Sequence, residues 1–351
     1  MNQPGRPTIS RVAGRAGVSV ASVSRVLNGL PSSTSMAARV RLAADELGYV
    51  PDAMARSLKV RRTQQLALAV ADLGNPVYVS MMRAIEAVVR SAGYRLVLSS
   101  TGSDPKDEID LISRLAHGYA DGLILSPLRV TDDLVDTLRD CRIPVVVIGS
   151  LPSGLALDNV RADSPRGVRL ALEHLRAGGR RRVGFVNGPI DTVPGFARAL
   201  GFDRTARRLG LDLDPALRVS AADFTFQAGR DAAAELFDRA RPDAVLGGND
   251  LIAVGVLHEL ADRGLRVPED VAVVGMDDTE LATLTTPSLT SVGLGSAERG
   301  RMAAELLLDR IADPARPVQR LRVGPRLVVR ASTSGRPTSG RPVAAGDRRI
   351  R

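Results

Sequence analysis

The strongest constraint on the fold is an alternation of short apolar segments with amphipathic ones, which begins at about residue 64. The apolar segments are typical of buried strands, and the amphipathic ones between them, such as MMRAIEAVVRSAG and DEIDLISRLAHG, are typical of helices. Strands that alternate with helices predict parallel sheets covered on both faces. Because these units are too many for one sheet of ordinary size, we predict two doubly wound subdomains with a cleft between them. The predicted strands are LALAVAD, RLVLSS, GLILSP, PVVVIG, RVGFVNG, LRVS, AVLGGND and VAVVGMDD.

The first 50 residues have the pattern of short helices instead. In ISRVAGRAG, apolar residues recur at the spacing of one helix face, with Thr8 or Ser10 as the N-cap. Gly17 then supplies a tight turn, and Ser19 caps a second helix, VASVSRVLN. Two short helices joined in this way predict a helix-turn-helix, on which a third helix, MAARVRLAADELGY, is expected to pack. The side chains expected to point inward are Val23, Val26, Leu27, Val40, Ala43, Leu47 and Tyr49.

Positive charge is concentrated at the two ends of the 351-residue chain. Residues 1–62 hold ten Lys and Arg against three Asp and Glu, and residues 333–351 hold five Arg against one Asp. Since the whole chain has a formal net charge of +9, the middle carries −2. A short basic module beside a near-neutral body is typical of nucleic-acid binding. The last segment repeats Ser-Gly-Arg-Pro and has little apolar content, so we expect a disordered tail.

Membrane insertion and secretion are not expected. The N-terminus, MNQPGRPTIS, lacks an apolar signal-peptide core, and charges interrupt every apolar run well before the roughly 18 residues that span a bilayer. A single cysteine, Cys141, excludes an internal disulfide and a cysteine metal cluster, and we expect it to be a half-buried thiol. The sequence therefore predicts a cytoplasmic protein without a metal or a cofactor.

Six segments in order resemble the lactose-repressor (LacI) and galactose-repressor family of bacterial transcription regulators. They are TISRVAGRAGVSVASVSRVLNG, ELGYVPDAMARSLK, NPVY, GGNDLIAVGVL, RVPEDVAVVGMDDTELATLTTPSLTSV and RLVVRASTSGRP, and they extend over roughly residues 8–333. The resemblance implies an all-α helix-turn-helix DNA-binding domain followed by an α/β body like the periplasmic binding proteins. The implied divisions are 1–50 for the DNA-binding domain, 51–63 for a hinge helix and linker, 64–163 with 291–322 for the N-subdomain, 164–290 with 323–332 for the C-subdomain, and 333–351 for the tail.

The resemblance also implies which side chains contact DNA. The second helix becomes a recognition helix in the major groove, where Val20, Ala21 and Arg25 face the bases. Arg25 is suited to guanine, and the two apolar residues are suited to thymine methyl groups. In the hinge, Leu58 is the expected minor-groove wedge, and Ala55 allows close approach of two hinge helices. The side chains expected at phosphates are Thr8, Ser19, Ser22, Ser24 and Asn28.

A small-molecule effector is expected in the cleft, at the carboxyl ends of strands. The implied binding residues are Tyr78, Arg198, Phe224, Asn249 and Asp277. As a set they suit a sugar or polyol, because the polar groups pair with hydroxyls while the aromatic ring covers an apolar face.

One departure from the family pattern concerns the residues after PVVVI. Sugar-binding members often have a carboxylate there, whereas this chain has Gly149 and Ser150. A plain hexose is therefore a poorer fit, and Asp158 is an alternative source of the missing carboxylate.

Other functional classes remain open at this point. A nucleoside- or purine-type corepressor is the alternative effector, and a free solute-binding protein or an enzyme using Asp277, Asp278 and His174 are the alternative classes. No nucleotide, nucleophile or metal motif supports an enzyme. Because one helix-turn-helix reads only a half-site, we expect a homodimer on pseudo-palindromic double-stranded DNA, without a coiled-coil tetramer.

Overall fold

The computed structural model describes most of the chain, and the chain forms two compact units, residues 1–63 and 64–351. Asn28, Ala55 and Leu58, with nearly all of the predicted hinge and tail, lie outside the described residues. The described ranges are 7–27, 30–49, 63–102, 104–115 and 118–334.

The N-terminal unit is a bundle of three helices, α1 (Ile9–Ala16), α2 (Val20–Leu27) and α3 (Thr34–Glu46). Helix α1 begins after Thr8, whose Oγ1 accepts the backbone N–H of Arg11, and ends at Gly17 with a φ of 64°. The short turn from α1 into α2 forms the predicted helix-turn-helix. Helix α3 begins two residues earlier than predicted, at Thr34.

The predicted inward positions of this unit form its core. Val23, Val26, Val40 and Ala43 are buried together with side chains from α1. Leu27, Leu47 and Tyr49 are half-buried and pack against this cluster. The amphipathic spacing in the sequence therefore identified the buried faces of these helices.

The described part of residues 64–351 contains twelve strands, and these include all eight predicted ones. The additional strands, β5, β10, β11 and β12, are short, and several of their residues are polar. The strands are β1 (Gln65–Val70), β2 (Arg95–Ser100), β3 (Gly122–Ser126), β4 (Val145–Ile148), β5 (Asp158–Ala162), β6 (Val183–Asn187), β7 (Arg218–Ser220), β8 (Ala244–Gly247), β9 (Ala272–Met276), β10 (Thr290–Gly293), β11 (Arg320–Val323) and β12 (Arg326–Val328).

These strands form two six-stranded sheets. The first has the order β2-β1-β3-β4-β5-β11 and is parallel throughout. The second has the order β7-β6-β8-β9-β10-β12 and is parallel except for β12, which runs antiparallel to β10. This confirms the predicted pair of doubly wound sheets, an arrangement that binds ligands at its carboxyl edge.

Helices cover both faces of each sheet. We call the first sheet and its helices α4, α5, α6 and α12 lobe 1, and the second sheet and its helices α7 to α11 lobe 2. No helix within the described ranges is long and apolar enough to cross a membrane. The helices are α4 (Val77–Ser91), α5 (Pro105–Leu115), α6 (Asp132–Asp140), α7 (Ser164–Ala177), α8 (Val193–Leu209), α9 (Phe226–Arg239), α10 (Asp250–Asp262), α11 (Leu281–Leu284) and α12 (Ser296–Ala312).

The chain passes between the lobes three times. It crosses after β5, between β10 and α12, and between β11 and β12. Strand β10 therefore belongs to lobe 2, although the expected division assigned residues 291–322 to the first subdomain. That boundary was wrong by the length of the strand, because β10 pairs with β9 and β12.

Candidate functional site

The predicted recognition helix, α2, which we also call the reading helix, exposes the side chains that were expected to face DNA bases. Val20, Ala21 and Arg25 are exposed, while Val23 and Val26 are buried on the opposite side. Within the described residues the Arg25 guanidinium has no ion pair. The helix thus combines one cationic hydrogen-bond donor with a small apolar surface, a combination that suits guanine and thymine edges.

Hydroxyl groups surround this surface. The Oγ of Ser19 accepts the backbone N–H of Ser22 at 3.1 Å, and the two hydroxyl oxygens are 3.0 Å apart. Thr8 is exposed and caps α1, while Ser24 is half-buried. Capping uses only a lone pair of the Thr8 oxygen, so that hydroxyl keeps a hydrogen for a phosphate, and the bonded Ser19–Ser22 pair keeps one hydrogen between them.

A cavity of about 300 Å³ lies between lobe 1 and lobe 2. The five side chains predicted to bind an effector all line it. Its wall includes the residues that follow strands of both sheets, which is where doubly wound folds bind ligands. Lobe 1 contributes Tyr78, and lobe 2 contributes Arg198, Phe224, Asn249 and Asp277.

Asp277 and Arg198 form a buried ion pair in this cavity. Asp277 Oδ1 lies 3.5 Å from Arg198 Nη2, and both side chains are less than 10% exposed. Burial raises the pKa of the Asp277 carboxyl, and the charges of Arg198 and Arg299 act in the opposite direction. Asp277 also has a φ of 105°, a rare conformation for a residue with a side chain, which costs roughly 1–3 kcal/mol. Strain of this kind favours a functional role for the position.

A second buried carboxylate, Asp250, lies near Asp277 and was not predicted. It accepts the hydroxyl of Ser291 at 2.5 Å, and the N–H and the hydroxyl of Thr279 at 2.7 and 2.8 Å. Burial and the charge of Asp277 raise the pKa of Asp250 to about 7 despite these hydrogen bonds. A side chain at Gly275 would overlap Asp250, so the absence of one leaves room for the carboxylate.

Asn249 has a structural task as well as a place in the cavity wall. Its Oδ1 accepts the N–H of Ile252 at 2.8 Å and so caps α10, and its Nδ2 donates to the Phe224 carbonyl at 3.0 Å. One amide hydrogen remains for a ligand. The Phe224 ring fits against Gly188, where any side chain would overlap it, and the Arg198 guanidinium carbon is 5.6 Å from the ring centroid.

Tyr78 supplies a neutral hydroxyl from lobe 1. Burial raises its pKa, and the hydroxyl shares a hydrogen bond with the side chain of Ser126. Ser126 in turn donates to the Ile148 carbonyl at 3.3 Å. Since β3 ends at Ser126, the carboxyl edge of the first sheet fixes the position of the tyrosine hydroxyl.

Three further arginines line the cavity, and the sequence analysis did not identify them. They are Arg161 on β5, Arg299 on α12 and Arg322 on β11. Arg322 Nη1 lies 3.4 Å from Asp163 Oδ2. Strands β5 and β11 were not recognised as strands, so no signal in the local sequence placed their side chains at the cavity.

The alternative carboxylate, Asp158, does not line the cavity, and that suggestion was wrong. Asp158 begins β5, at the amino end of the sheet, whereas the cavity lies at the carboxyl end. It is buried in an ion pair with Arg310 at 3.0 Å and also accepts the N–H of Gln319 at 2.7 Å. Gly149 and Ser150 do line the cavity, so no carboxylate occupies that part of its wall.

A separate contact joins the two lobes near the cavity. Arg129 Nε lies 2.7 Å from Asp191 Oδ2, and the Val193 N–H donates to the Leu128 carbonyl at 2.9 Å. Arg129 follows β3 of lobe 1, and the other ion-pair partner follows β6 of lobe 2. We call these two interactions the interlobe clasp. Beneath it, burial raises the pKa of Glu108 to about 7, although Leu128 hydrogen-bonds the carboxylate.

The side chains suggested for an acid–base site are not assembled. His174 Nε2 contacts Thr333 Oγ1 at 2.8 Å, and the histidine is not among the residues that line the cavity. Asp278 pairs instead with Arg330 at 2.6 Å and with Arg326 at 3.3 Å. Of the three suggested side chains, Asp277 alone lines the cavity.

Both the N-terminal unit and the α/β body match models of known protein families. Residues 8–52 match the lacI family of bacterial regulatory proteins, and residues 172–333 match a periplasmic binding protein-like domain. The ribose operon repressor of Escherichia coli (strain K12) is 35% identical over 328 residues, which cover 93% of this chain and 99% of that protein.

Two solved structures extend this similarity to the fold. A transcriptional regulator CelR–cellobiose complex is 35% identical, with a TM-score of 0.72 over 93% of this chain and 100% of that one. The lac repressor dimer bound to operator and the anti-inducer ONPF has a TM-score of 0.83 at 24% identity, over 93% and 99% of the two chains. The chain therefore belongs to the LacI family of bacterial regulatory proteins.

Proposed function

We propose that this regulator is a transcriptional repressor whose affinity for its operator is lowered by a sugar or polyol bound between its lobes. The observation that carries the proposal is the cavity, because side chains of both lobes line it. A ligand that touches both lobes biases their relative orientation, and only such differential contact can shift a conformational equilibrium.

The exposed face of α2 supports the DNA-binding part. Arg25 reads a guanine, Val20 and Ala21 contact thymine methyl groups, and the hydroxyls of Thr8, Ser19, Ser22 and Ser24 fix the register at phosphates. Asn28, Ala55 and Leu58 stay predicted DNA contacts outside the described residues. An operator-binding regulator acts in the bacterial cytoplasm, where the chromosome lies.

The chemistry of the cavity supports the effector class. Tyr78, Asn249 and Asp277 offer hydrogen-bond donors and acceptors at different points of the wall, and Phe224 adds part of an aromatic ring. Hydroxyl-rich molecules use this mixture of groups. Two relatives point the same way, since one is named for a ribose operon and another was solved with cellobiose.

A second copy of the chain is the expected partner. Strand β2 forms one edge of the first sheet, and Val97 and Leu98 on it are 41% and 44% exposed. Soluble monomers avoid exposed apolar edge strands, because these pair with other chains. A twofold homodimer that covers this edge would present two reading helices to a pseudo-palindrome.

Catalysis is not part of the proposed function. The cavity brings together the buried Asp277–Arg198 ion pair, other charged side chains and uncharged donors and acceptors, whereas the suggested histidine takes no part in its lining. The strained Asp277 is explained as a ligand contact that depends on its unusual backbone angle.

The proposal is tested with purified full-length protein in two steps. Selection from a random DNA library yields the preferred site, and its affinity is then measured with and without a panel of sugars, polyols and nucleosides. We expect one pseudo-palindromic site to bind at least 10³-fold more tightly than random DNA, and one sugar or polyol to weaken that binding. A protein that binds all DNA alike, or responds only to a nucleoside by binding more tightly, would contradict it.

A further inference from the structure

The lining of the cavity contains more positive charge than a neutral ligand needs. Four arginines and two aspartates line it within the described residues, giving a formal charge of +2. These residues are Arg161, Arg198, Arg299, Arg322, Asp163 and Asp277. Even a fully ionised Asp250 behind the wall would leave the site positive.

The hydrogen-bond donors of the Arg198 guanidinium are only partly satisfied. It is 5% exposed, and its Nε has no hydrogen-bond partner within the described residues, although the atom is buried. Its contact with Asp277 is long, at 3.5 Å, so it satisfies little of the guanidinium. The Arg198 side chain lines the cavity, so the terminal amino groups that Asp277 satisfies poorly can donate to an acceptor supplied by a ligand.

Arg299 faces the same region from the other lobe. Helix α12, which carries it, packs on α4 and the first sheet, and a Cβ at Gly300 would lie 2.7 Å from the Met81 carbonyl. The Arg299 Nε donates to the Leu294 carbonyl at 3.2 Å, and that bond leaves its terminal amino groups for another partner. Burial lowers the pKa of Arg299, Asp277 and Tyr78 raise it, and the nearby positive charge of Arg198 lowers it.

The two arginines therefore belong to different lobes and repel each other. Among the described residues, Asp277 attracts both arginines and Asp250 behind the wall also attracts Arg198, so Arg299 shares its single carboxylate with Arg198. At the rim, Arg322 is partly balanced by Asp163, whereas the exposed Arg161 has no ion pair within the described residues. Neutral hydroxyls could accept hydrogen bonds here, but they would leave the charge imbalance in place.

Resting on the function proposed above, we propose that the effector is an anionic sugar or polyol derivative whose acidic group bridges Arg198 of lobe 2 and Arg299 of lobe 1. Carboxylates and phosphates accept paired hydrogen bonds from arginine, and such charge-assisted bonds are about twice as strong as neutral ones. The anion removes the repulsion between the two arginines, so its binding draws the lobes together. The acidic group is a sugar carboxylate or a sugar phosphate.

Matched neutral and anionic ligands test this proposal. Isothermal titration calorimetry on the full-length chain without DNA would compare glucose with gluconate, glucuronate and glucose 6-phosphate, and ribose with ribose 5-phosphate. Galactose would be compared with galacturonate. Inorganic phosphate and sulfate serve as controls for binding of an ion alone. We expect at least one anionic ligand to bind ten times more tightly than its neutral counterpart, with an affinity that falls as salt rises.

Variants of Arg299 test whether its positive charge causes the preference for the anionic ligand. Arg299→Gln is expected to abolish most of that tenfold preference, measured as the ratio of the anionic to the neutral affinity within the same variant. Arg299→Lys keeps the positive charge and is expected to retain part of the preference for the anionic ligand. The matched control is Arg301→Gln on the same helix, because Arg301 is exposed and pairs with Glu305 instead. Thermal unfolding of each variant shows whether it is folded.

The outcomes separate this inference from the proposed function. Neutral sugars that bind as tightly as their acids, or an anionic preference that survives Arg299→Gln, would overturn the inference and leave a sugar-controlled repressor intact. Equal binding of inorganic phosphate and the sugar phosphates would reduce the site to an ion site only and overturn it too. Failure of every sugar, acid and phosphate to bind would contradict both proposals.

Discussion

At the residue scale, Arg25 is expected to carry most of the sequence specificity of the reading helix, because it is the one charged side chain among the three residues predicted to face the bases. Arg25→Ala should weaken binding to the selected operator by about 1–3 kcal/mol and affect random DNA much less. Fluorescence anisotropy at fixed salt measures both affinities. The control is Arg41→Ala, which removes an exposed arginine of α3. Equal losses on operator and random DNA would show that Arg25 contacts only phosphates.

Asp277 is expected to separate effector binding from DNA binding. Asp277→Ala removes the acceptor of the buried ion pair, so the release of operator DNA by the effector should disappear. Operator affinity without effector should stay near that of the parent protein. Glu280→Ala is the control, since Glu280 is exposed in the same connection. If Asp277→Ala still releases DNA at the parent's effector concentration, Asp277 does not bind the effector.

Individual residues also show where sequence reasoning reached its limit. The resemblance suggested Tyr78 and Asp277 for the cavity, and both line it because they follow recognisable strands. Asp158 was misplaced, because the start of the unrecognised strand β5 lies at the far end of the sheet. Arg299 was missed because an arginine on an amphipathic helix is ordinarily a solvated one, and only tertiary packing turns it toward the cavity.

At the element scale, the long apolar strands were predictable and the short connecting ones were not. Strands β1, β3 and β9 each contain at least three consecutive buried apolar residues, a pattern typical of buried parallel strands. Strand β11 (RLRV) has a single buried residue and pairs with β5, so its sequence alone does not distinguish it from a loop. These short strands lie at the crossings between the lobes, and so the cleft itself was the least predictable part of the fold.

The interlobe clasp is the element where a substitution is expected to change effector binding with little effect on stability. The Asp191 side chain is 62% exposed and that of Arg129 is 24% exposed, so solvent reaches the pair from the Asp191 side, and ion pairs open to solvent contribute little to stability. We therefore expect Asp191→Asn to leave the melting temperature within about 2 °C of the parent value. Because the pair joins the lobes, the same change should weaken effector binding by several-fold. Differential scanning fluorimetry and calorimetry measure the two effects.

A matched pair within one lobe controls for the loss of an arginine. Arg301→Gln breaks an exposed ion pair inside α12, so it should change neither the melting temperature nor the effector affinity. Arg129→Gln should weaken effector binding at least as much as Asp191→Asn, and the double variant should bind the effector no more weakly than Arg129→Gln alone. Additive losses would mean that the two side chains act separately and do not form a functional clasp.

At the scale of the whole molecule, the exposed edge of lobe 1 predicts a homodimer. Leu98→Glu places a charge on the edge strand β2 and should convert a dimer into a monomer at micromolar concentration, because like charges would meet across the twofold axis. Sedimentation velocity measures the change. Leu213→Glu, at another exposed leucine of the body, is the control and should stay dimeric. A parent protein that sediments as a monomer with and without operator would contradict the arrangement.

Coupling between the cavity and the reading helix has a consequence that does not depend on any structural detail of the hinge. If the effector weakens operator binding by a given factor, operator DNA must weaken effector binding by the same factor, because the two ligands share one thermodynamic cycle. Typical couplings of about 1–3 kcal/mol correspond to factors of roughly 5–150. Calorimetric titration of the effector into free protein and into the protein–operator complex measures the second factor directly, and random DNA at equal concentration is the control. With the Arg25→Ala protein bound to random DNA, the DNA should weaken effector binding little, since phosphate contacts alone then hold the protein. An effector that binds the operator complex as tightly as the free protein would show that the cavity does not control DNA binding, whatever it holds.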